Sequence, residues 1–351
     1  MRRSAPYSQA LGDPTLEQRL ETFLARRLGA AVRVVALARS TEGFSQETFV
    51  LEVEVEGRRR GYVVKREPVA GLLEPYDLEP EFRVLHALSD HPLPSPRTPF
   101  FEADPAVLER PFYVMERLPG EAPVPDPGPE EKGPFPDPAL RARLAPQVVG
   151  TLVDLHAVDW LELGLEFLGV PESGRAATRE LAAWEARIRR AELPLAPILA
   201  DALHWLRAHV PLADEVTLVH GDYRTGNFLV ADGRLTGVLD WEMVHLGDPL
   251  EDVAWCCSEL WRAGTGLAGG LVPQEAFVAA YAERSARKVD AERLHWWAVL
   301  SIVKMLAIML TGIRAFSDGR TPDLRMAIFD HQIPFLHALL AVERGWLPRG
   351  L

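Results

Sequence analysis

The chain has 351 residues, 48% hydrophobic and 25% charged, with a formal net charge of −12. That length accommodates two units with separate cores. The acidic balance argues against a nucleic-acid partner held on a basic face, and mostly reflects solubility.

Only two cysteines occur, the neighbours Cys256 and Cys257, which excludes a disulfide framework and leads us to expect a reducing, cytoplasmic setting. Lying in the apolar run VAWCCSELW, they read as small core residues. The N-terminal stretch MRRSAPYSQALGDP lacks the about 7–15-residue apolar core of a signal peptide. One later segment, Leu294–Ile313, is long enough for a membrane span, but it carries His295 and Lys304. A buried helix is expected there, with no membrane partner.

In chain order, Asp13-Pro14 has the form of an N-cap followed by a first-turn proline. Leu16, Leu20, Phe23, Leu24 and Leu28 then repeat at helical spacing up to Gly29, a stop signal. The period changes to two in VRVVALAR, ETFVLEVEVEG and GYVVKREP, which predicts three antiparallel strands with one face to cover. Helical spacing returns over Pro75–Leu88, with the regular helix starting near Pro80 and Glu81 beside its apolar face. PFFEAD and PFYVMERL complete a small sheet of five strands.

Eight prolines between Pro119 and Pro138 predict an exposed loop. Residues 1–118 and 119–351 are therefore expected to form separate lobes. Beyond the loop the pattern is helical over 140–159, 175–190, 197–209, 249–261, 273–287, 290–313 and about 322–342. One strand-like interruption stands out, LVHGDYRTGNFLVADGRLTGVLDWEMVHLGDPL at Leu218–Leu250.

In that interruption Asn227 follows Asp222 by five positions, and Asp240 follows Asn227 by thirteen. Each stands where an apolar run breaks into a turn, and polar residues at strand ends are common site builders. The bland reading is that Asp222 and Asn227 only form turns. A metallohydrolase reading would take His220, Asp222, Asp240 and His245 as ligands, but leaves Asn227 and the first lobe without a role.

HGDYRTGN followed by VLDWE resembles the aminoglycoside phosphotransferase family, a branch of the protein-kinase-like fold. EFRVLHALSDHPLPSPR, RPFYVMERLPG, LVDLHAVDW and LGDPLEDVAW resemble that family's blocks in the same order, over about residues 35–315. The likeness is greatest to kinase-like domains fused ahead of some acyl-CoA dehydrogenases. It implies an α+β, bilobal fold and transfer of the γ-phosphate of ATP (or GTP) to a hydroxyl of a small molecule with Mg²⁺.

On that resemblance Asp222 accepts the proton of the acceptor hydroxyl, and Asn227 and Asp240 supply oxygen ligands to Mg²⁺. Arg224 either faces the γ-phosphate or forms a structural ion pair. His220 supports the loop without transferring a proton. Lys65, in YVVKREP, contacts the nucleotide phosphates and pairs with Glu81, which also resolves the cost of an ammonium on a buried strand. Arg66 next to it points the other way. Gly43 and Ser45 stand in the phosphate-covering turn STEGFSQET, where a GxGxxG is absent. Met115, Glu116 and Leu118, in MERL, fit the hinge that reads adenine through its backbone.

Asp240 is followed by Trp-Glu and then, after a short step, by GDPLED, which leaves no room for a long activation segment. That points to a small-molecule acceptor. A cationic acceptor would need an anionic pocket, for which Glu242, Glu251 and Glu259 are candidates. Trp184, Trp241, Trp255, Trp261, Trp296 and Trp297 would suit an aromatic pocket, though such spacing more often means core. Asp248 and Asp252 are expected to cap the following helix in preference to touching substrate. The alternative function is a nucleotide-binding module without catalysis.

Overall fold

The computed structural model describes residues 15–40, 45–123, 133–213, 215–262 and 264–348. Its contacts divide the chain into two compact units, one of residues 1–67 and 98–117, the other of 68–97 and 118–351.

The first unit follows from its alternation. Helix α1 (Leu16–Leu28) is capped by Thr15, whose hydroxyl accepts from the Gln18 N–H while the Gln18 side chain accepts from the Thr15 N–H. This reciprocal capping box places the helix start at Thr15; the expected cap, Asp13-Pro14, lies outside the described residues. Gly29 ends the helix at φ 65°, as expected. Strands β1 (Val32–Arg39), β2 (Glu47–Val55), β3 (Arg58–Arg66), β4 (Phe100–Glu102) and β5 (Phe112–Glu116) form one antiparallel sheet in the order β1-β2-β3-β5-β4.

One face of that sheet is apolar. Phe49, Leu51, Val53 and Val55 of β2 and Tyr62 and Val64 of β3 pack with Leu20, Phe23 and Leu24 of α1. Phe23 meets Phe112 edge-on at 4.9 Å between ring centroids. Because side chains alternate along a strand, Lys65 stands on the face away from this core. A short helix α3 (Pro105–Leu108), capped by Asp104, joins β4 to β5 and was not legible as a helix in the sequence.

Helix α2 (Glu79–Ala87) has a proline in its first turn, where no backbone N–H is needed. It belongs by its contacts to the second unit, so the compact units cut the chain differently from a boundary at 118/119. The reason lies in what residues 68–97 touch. The Arg83 guanidinium stacks 3.5 Å from the Phe167 ring centroid, the Val238 N–H donates to the Pro94 carbonyl at 2.7 Å, and Arg187 donates to the Glu74 carbonyl at 3.0 Å.

The rest of the second unit is mainly helical, with α4 (Pro138–His156), α5 (Ala176–Ala191), α6 (Pro197–Ala208), α7 (Leu250–Cys257), α8 (Gln274–Ser285), α9 (Ala291–Ser317), α10 (Leu324–Ile328) and α11 (Ile333–Glu343). Among the described residues, α9 is the one helix long and apolar enough to cross a membrane, and two thirds of its most apolar stretch is buried. It packs against α5, α6, α7, α10 and α11, which is the position of a core helix.

The single helix expected over 322–342 is instead two, and Pro334 stands in the first turn of the second, where proline is tolerated. The proline-rich segment is not wholly an exposed loop either. Phe135 is 3% exposed, and Glu121 exchanges both backbone hydrogen bonds with Val230, at 3.1 and 3.0 Å.

Candidate active site

Four short strands of the second unit place the polar residues singled out in the sequence. β6 (Thr217–Val219) pairs with β9 (His245–Gly247), a strand the sequence pattern did not reveal. β7 (Phe228–Ala231) and β8 (Arg234–Val238) form a hairpin closed by Asp232 and Gly233, at φ 51° and 73°. Two successive positive φ values give the turn whose twist suits antiparallel strands, and Asp-Gly adopts it readily.

The hairpin register pairs Phe228 with Val238, and the Leu239 N–H donates to the Asn227 carbonyl at 2.8 Å. Asn227 and Asp240 therefore stand at the same open end of the hairpin. Asp240 has φ 60°, in the left-handed region that Asp tolerates better than most side chains. Both are oxygen donors, and oxygen suits a hard cation such as Mg²⁺. The Asn227 Nδ2 group donates to the Asp222 carbonyl at 2.9 Å and to Asp222 Oδ2 at 2.7 Å, which turns Oδ1 of Asn227 to the other side. The donor set thus fits the cation that the sequence resemblance implies.

Asp222 is 7% exposed and its carboxylate is fixed from several sides. Oδ2 accepts from Asn227, while Oδ1 accepts from the Trp255 indole at 2.7 Å and from Arg224 Nε at 2.9 Å. The Arg224 guanidinium also lies 4.4 Å from the Trp261 ring centroid. Of the two roles open in the sequence, the geometry displays the ion pair.

The backbone entering Asp222 is held as firmly. The N–H groups of His220 and Gly221 donate to the Asp252 carboxylate at 2.8 and 2.9 Å, and Gly221 takes φ 80°. A Cβ on Gly221 would stand 2.5 Å from the Met243 carbonyl oxygen, so glycine is required there. The Asp222 N–H donates to His220 Nδ1 at 3.1 Å, and His220 Nε2 meets the Leu239 carbonyl at 3.1 Å. These partners define a neutral imidazole with its proton on Nε2. Burial pushes the His220 pKa below its ordinary value, despite the opposing pull of Asp252, Asp222 and Asp240.

This arrangement removes the metallohydrolase set. Both His220 nitrogens face backbone groups, and His245 Nε2 lies 3.1 Å from Glu251 and 3.5 Å from Glu180. Among the described residues, Glu180, His245 and Glu251 are the one group of three that brings potential metal ligands together, without Asp222 or Asp240. Burial alone would lower the His245 pKa, but Glu180 and Glu251 outweigh it and raise it to about 9. That describes an imidazolium bridging two carboxylates.

Two of the three candidates for an anionic pocket, Glu251 and Glu259, are neutralised. Glu251 is buried, with Oε1 3.0 Å from Lys304 and Oε2 on His245. Burial by itself would raise its pKa, yet Lys304 and His245 hold it below the ordinary value. Glu259 pairs with Arg262 at 2.5 Å. The tryptophans at 184, 241, 255, 296 and 297 are buried in the core, as their spacing favoured. Cys256 and Cys257 are buried too, and burial pushes both thiols up, Cys257 to about 12.

Asp248 does take a capping role, accepting from the Leu250 N–H at 2.9 Å while Arg293 and Trp297 hold its other bonds. Asp252 does not cap α7. It holds the two N–H groups ahead of Asp222 and meets His156 Nε2 at 3.3 Å.

In the first unit Lys65 is 9% exposed on β3, where it pairs in register with Tyr113 and Thr48. Arg66 is occupied by Glu47 at 2.6 Å, as its opposite direction suggested. Met115 and Glu116 end β5, buried and exposed respectively, and Leu118 is the first residue of the second unit's long segment. Ser45 is half-buried ahead of β2, and Gly43 lies outside the described residues. Glu81, in α2, is 3% exposed within the second unit. Sequence reasoning missed Trp255 and Lys304 as neighbours of the Asp222 loop. The available signal for Lys304 was a cation within the apolar run SIVKMLA.

Comparison with known proteins extends the geometry. Probable acyl-CoA dehydrogenase IBR3 of Arabidopsis thaliana is 29% identical over 297 residues, covering 77% of this chain and 35% of that protein. The chain thus spans about a third of that relative's length. A solved structure from Ralstonia eutropha, assigned as an aminoglycoside phosphotransferase, has a TM-score of 0.71 at 23% identity, covering 93% of this chain and 98% of that one. A thermostable mutant of aminoglycoside phosphotransferase APH(4)-Ia, in ternary complex with ADP and hygromycin B, has a TM-score of 0.56 at 19% identity, covering 95% and 99%. These likenesses establish the kinase-like fold. The family model described as the phosphotransferase enzyme family matches residues 14–297, and the chain belongs to that family.

Proposed function

We propose that the protein is a small-molecule kinase that transfers the γ-phosphate of ATP, or GTP, to a hydroxyl of its acceptor. The observation that carries this reading is the Asp222 carboxylate, oriented by Asn227 and Trp255 at 2.7 Å each, beside a hairpin end that presents Asn227 and Asp240. Phosphoryl transfer asks a protein mainly for positioning and for charge stabilisation, and a carboxylate fixed by several donors supplies the first.

In this reading Asp222 aligns the acceptor hydroxyl and receives its proton. Asn227 and Asp240 hold Mg²⁺, which when bound neutralises phosphate charge. Arg224, bonded to Asp222 Oδ1 and stacked on Trp261, orients the carboxylate. On the nucleotide side we assign Lys65 to the phosphates, Glu81 as the carboxylate that offsets the charge of that lysine, Gly43 and Ser45 to the covering turn, and Met115, Glu116 and Leu118 to adenine. The complex of one fold neighbour with ADP supports nucleotide binding.

The acceptor is proposed to be a neutral or anionic hydroxylated metabolite, such as a hydroxyacyl compound. Internal cations already neutralise Glu251 and Glu259, so these carboxylates do not form a pocket for a polycation. The resemblance to proteins named as acyl-CoA dehydrogenases points the same way.

The test is Mg²⁺-dependent ATP turnover across a panel containing aminoglycosides and hydroxyacyl compounds. Asp222→Ala should lose at least about 10²-fold in turnover while ATP binding, followed by calorimetry, stays near wild type. ATP binding with no compound phosphorylated would favour the nucleotide-binding module instead.

A further inference from the structure

Lys304 is a buried cation that the proposed chemistry does not use. It sits in the middle of α9 at 2% exposure, among Ser301, Val303, Leu306 and Ala307. An ammonium so placed is costly unless paired and hydrogen-bonded. Its Nζ donates to the Gly221 carbonyl at 2.5 Å and to Glu251 Oε1 at 3.0 Å, and lies 4.6 Å from the Trp255 ring centroid.

Each of the first and last of these contacts leads to Asp222. The Gly221 carbonyl belongs to the peptide whose N–H is that of Asp222, and this N–H donates to His220 Nδ1 at 3.1 Å. One peptide plane is therefore gripped at its oxygen by Lys304 and at its nitrogen by His220. The torsions on either side of that plane aim the Asp222 side chain. Trp255, against whose ring the ammonium rests, donates its indole N–H to Asp222 Oδ1 at 2.7 Å.

Neutralising Glu251 does not by itself account for the placement of Lys304. The other carboxylate oxygen already meets His245 at 3.1 Å, and an aliphatic neighbour would not have reached the Gly221 carbonyl. We propose that Lys304 is a positioning residue that fixes the backbone and side-chain orientation of Asp222 through the Gly221 carbonyl and Trp255. The catalytic consequence rests on the phosphoryl-transfer reading, whereas the ordering of the loop does not.

The decisive variant removes both buried charges together, as Lys304→Met with Glu251→Gln. Lys304→Met alone leaves Glu251 Oε1 without its cation, with His245 on the other oxygen, and is prone to misfold, whereas the double variant relieves that cost and leaves His245 paired with Glu180. Two measurements are made on the full chain, steady-state kinetics with Mg-ATP and amide exchange of the peptide spanning residues 218–227. Positioning predicts that kcat stays about 10- to 100-fold below wild type in the double variant, with KM for ATP unchanged. It also predicts faster exchange at Gly221 and Asp222. A role confined to charge pairing predicts recovery of kcat, and that recovery, or unchanged exchange, overturns the proposal. If the wild type turns over no acceptor, the phosphoryl-transfer reading fails, and the exchange result alone decides whether Lys304 orders the loop.

Discussion

The two compact units bury charge very differently. In the first, the core is apolar from α1 through β5, and Lys65 and Thr98 are the buried polar side chains among its described residues. In the second, His156, His220, Asp222, Asn227, Asp248, Glu251, Asp252 and Lys304 are all buried, and most of them converge on the few residues around Gly221. An apolar core needs only pattern and volume to form. A buried polar network must satisfy every member, and its return is a loop with one orientation. The sheet unit is thus organised for stability, while the helical unit accepts desolvation cost to fix one carboxylate.

Three experiments can break or sharpen that contrast, the first carrying the largest effect. Asp252→Ala removes the acceptor for the His220 and Gly221 N–H groups and the partner of His156. Urea unfolding should show a loss of about 3–5 kcal/mol, the range for breaking a buried charged network. Acceptor turnover per folded molecule should fall with it.

Leu51→Ala, at a fully buried position of the sheet core, comes next with a loss of about 2–4 kcal/mol from transfer and cavity terms. Here turnover per folded molecule should be unchanged. Equal damage to turnover from both substitutions would erase the distinction between the units.

The third experiment concerns pH dependence, where the effect per pH unit is smaller. His245 has a folded pKa raised to about 9, above an ordinary value of 6.5, because Glu180 and Glu251 outweigh its burial. The folded state therefore binds the proton more tightly than the unfolded one. The resulting stability is fully present below about 6.5 and is lost as pH rises through about 9. Chemical denaturation should weaken by on the order of 1 kcal/mol per pH unit in that window. His245→Gln should flatten the slope, and an unchanged slope would show that other groups produce it.

Much of the first unit was legible because strand alternation and helical spacing are local properties. Phe49, Leu51, Val53 and Val55 share a face in the structure as they do in the sequence pattern. The Asp222–Asn227–Asp240 spacing was legible for the same reason, since a hairpin with an Asp-Gly turn carries its own register. The assignment of residues 68–97 was not, because a helix states which face is apolar but not which surface will cover it. Glu251 illustrates the limit. As a carboxylate in the first turn of a helix it could face a ligand or the core, and only Lys304, 53 residues away, decides.

By itself the sequence determined the family, the main run of strands and helices and the spacing of Asn227 and Asp240 across their hairpin, all of which are patterns among residues close along the chain. The tertiary structure alone decided how that set is held. Lys304 reaches Gly221 across 83 residues, Trp255 reaches Asp222 across 33, and Asp252 reaches His220 across 32. The physical reason is that a buried charge has no preferred partner along the chain. It takes whichever group the packing of helices brings within hydrogen-bond reach, and the energy of leaving it unpaired then makes that choice permanent.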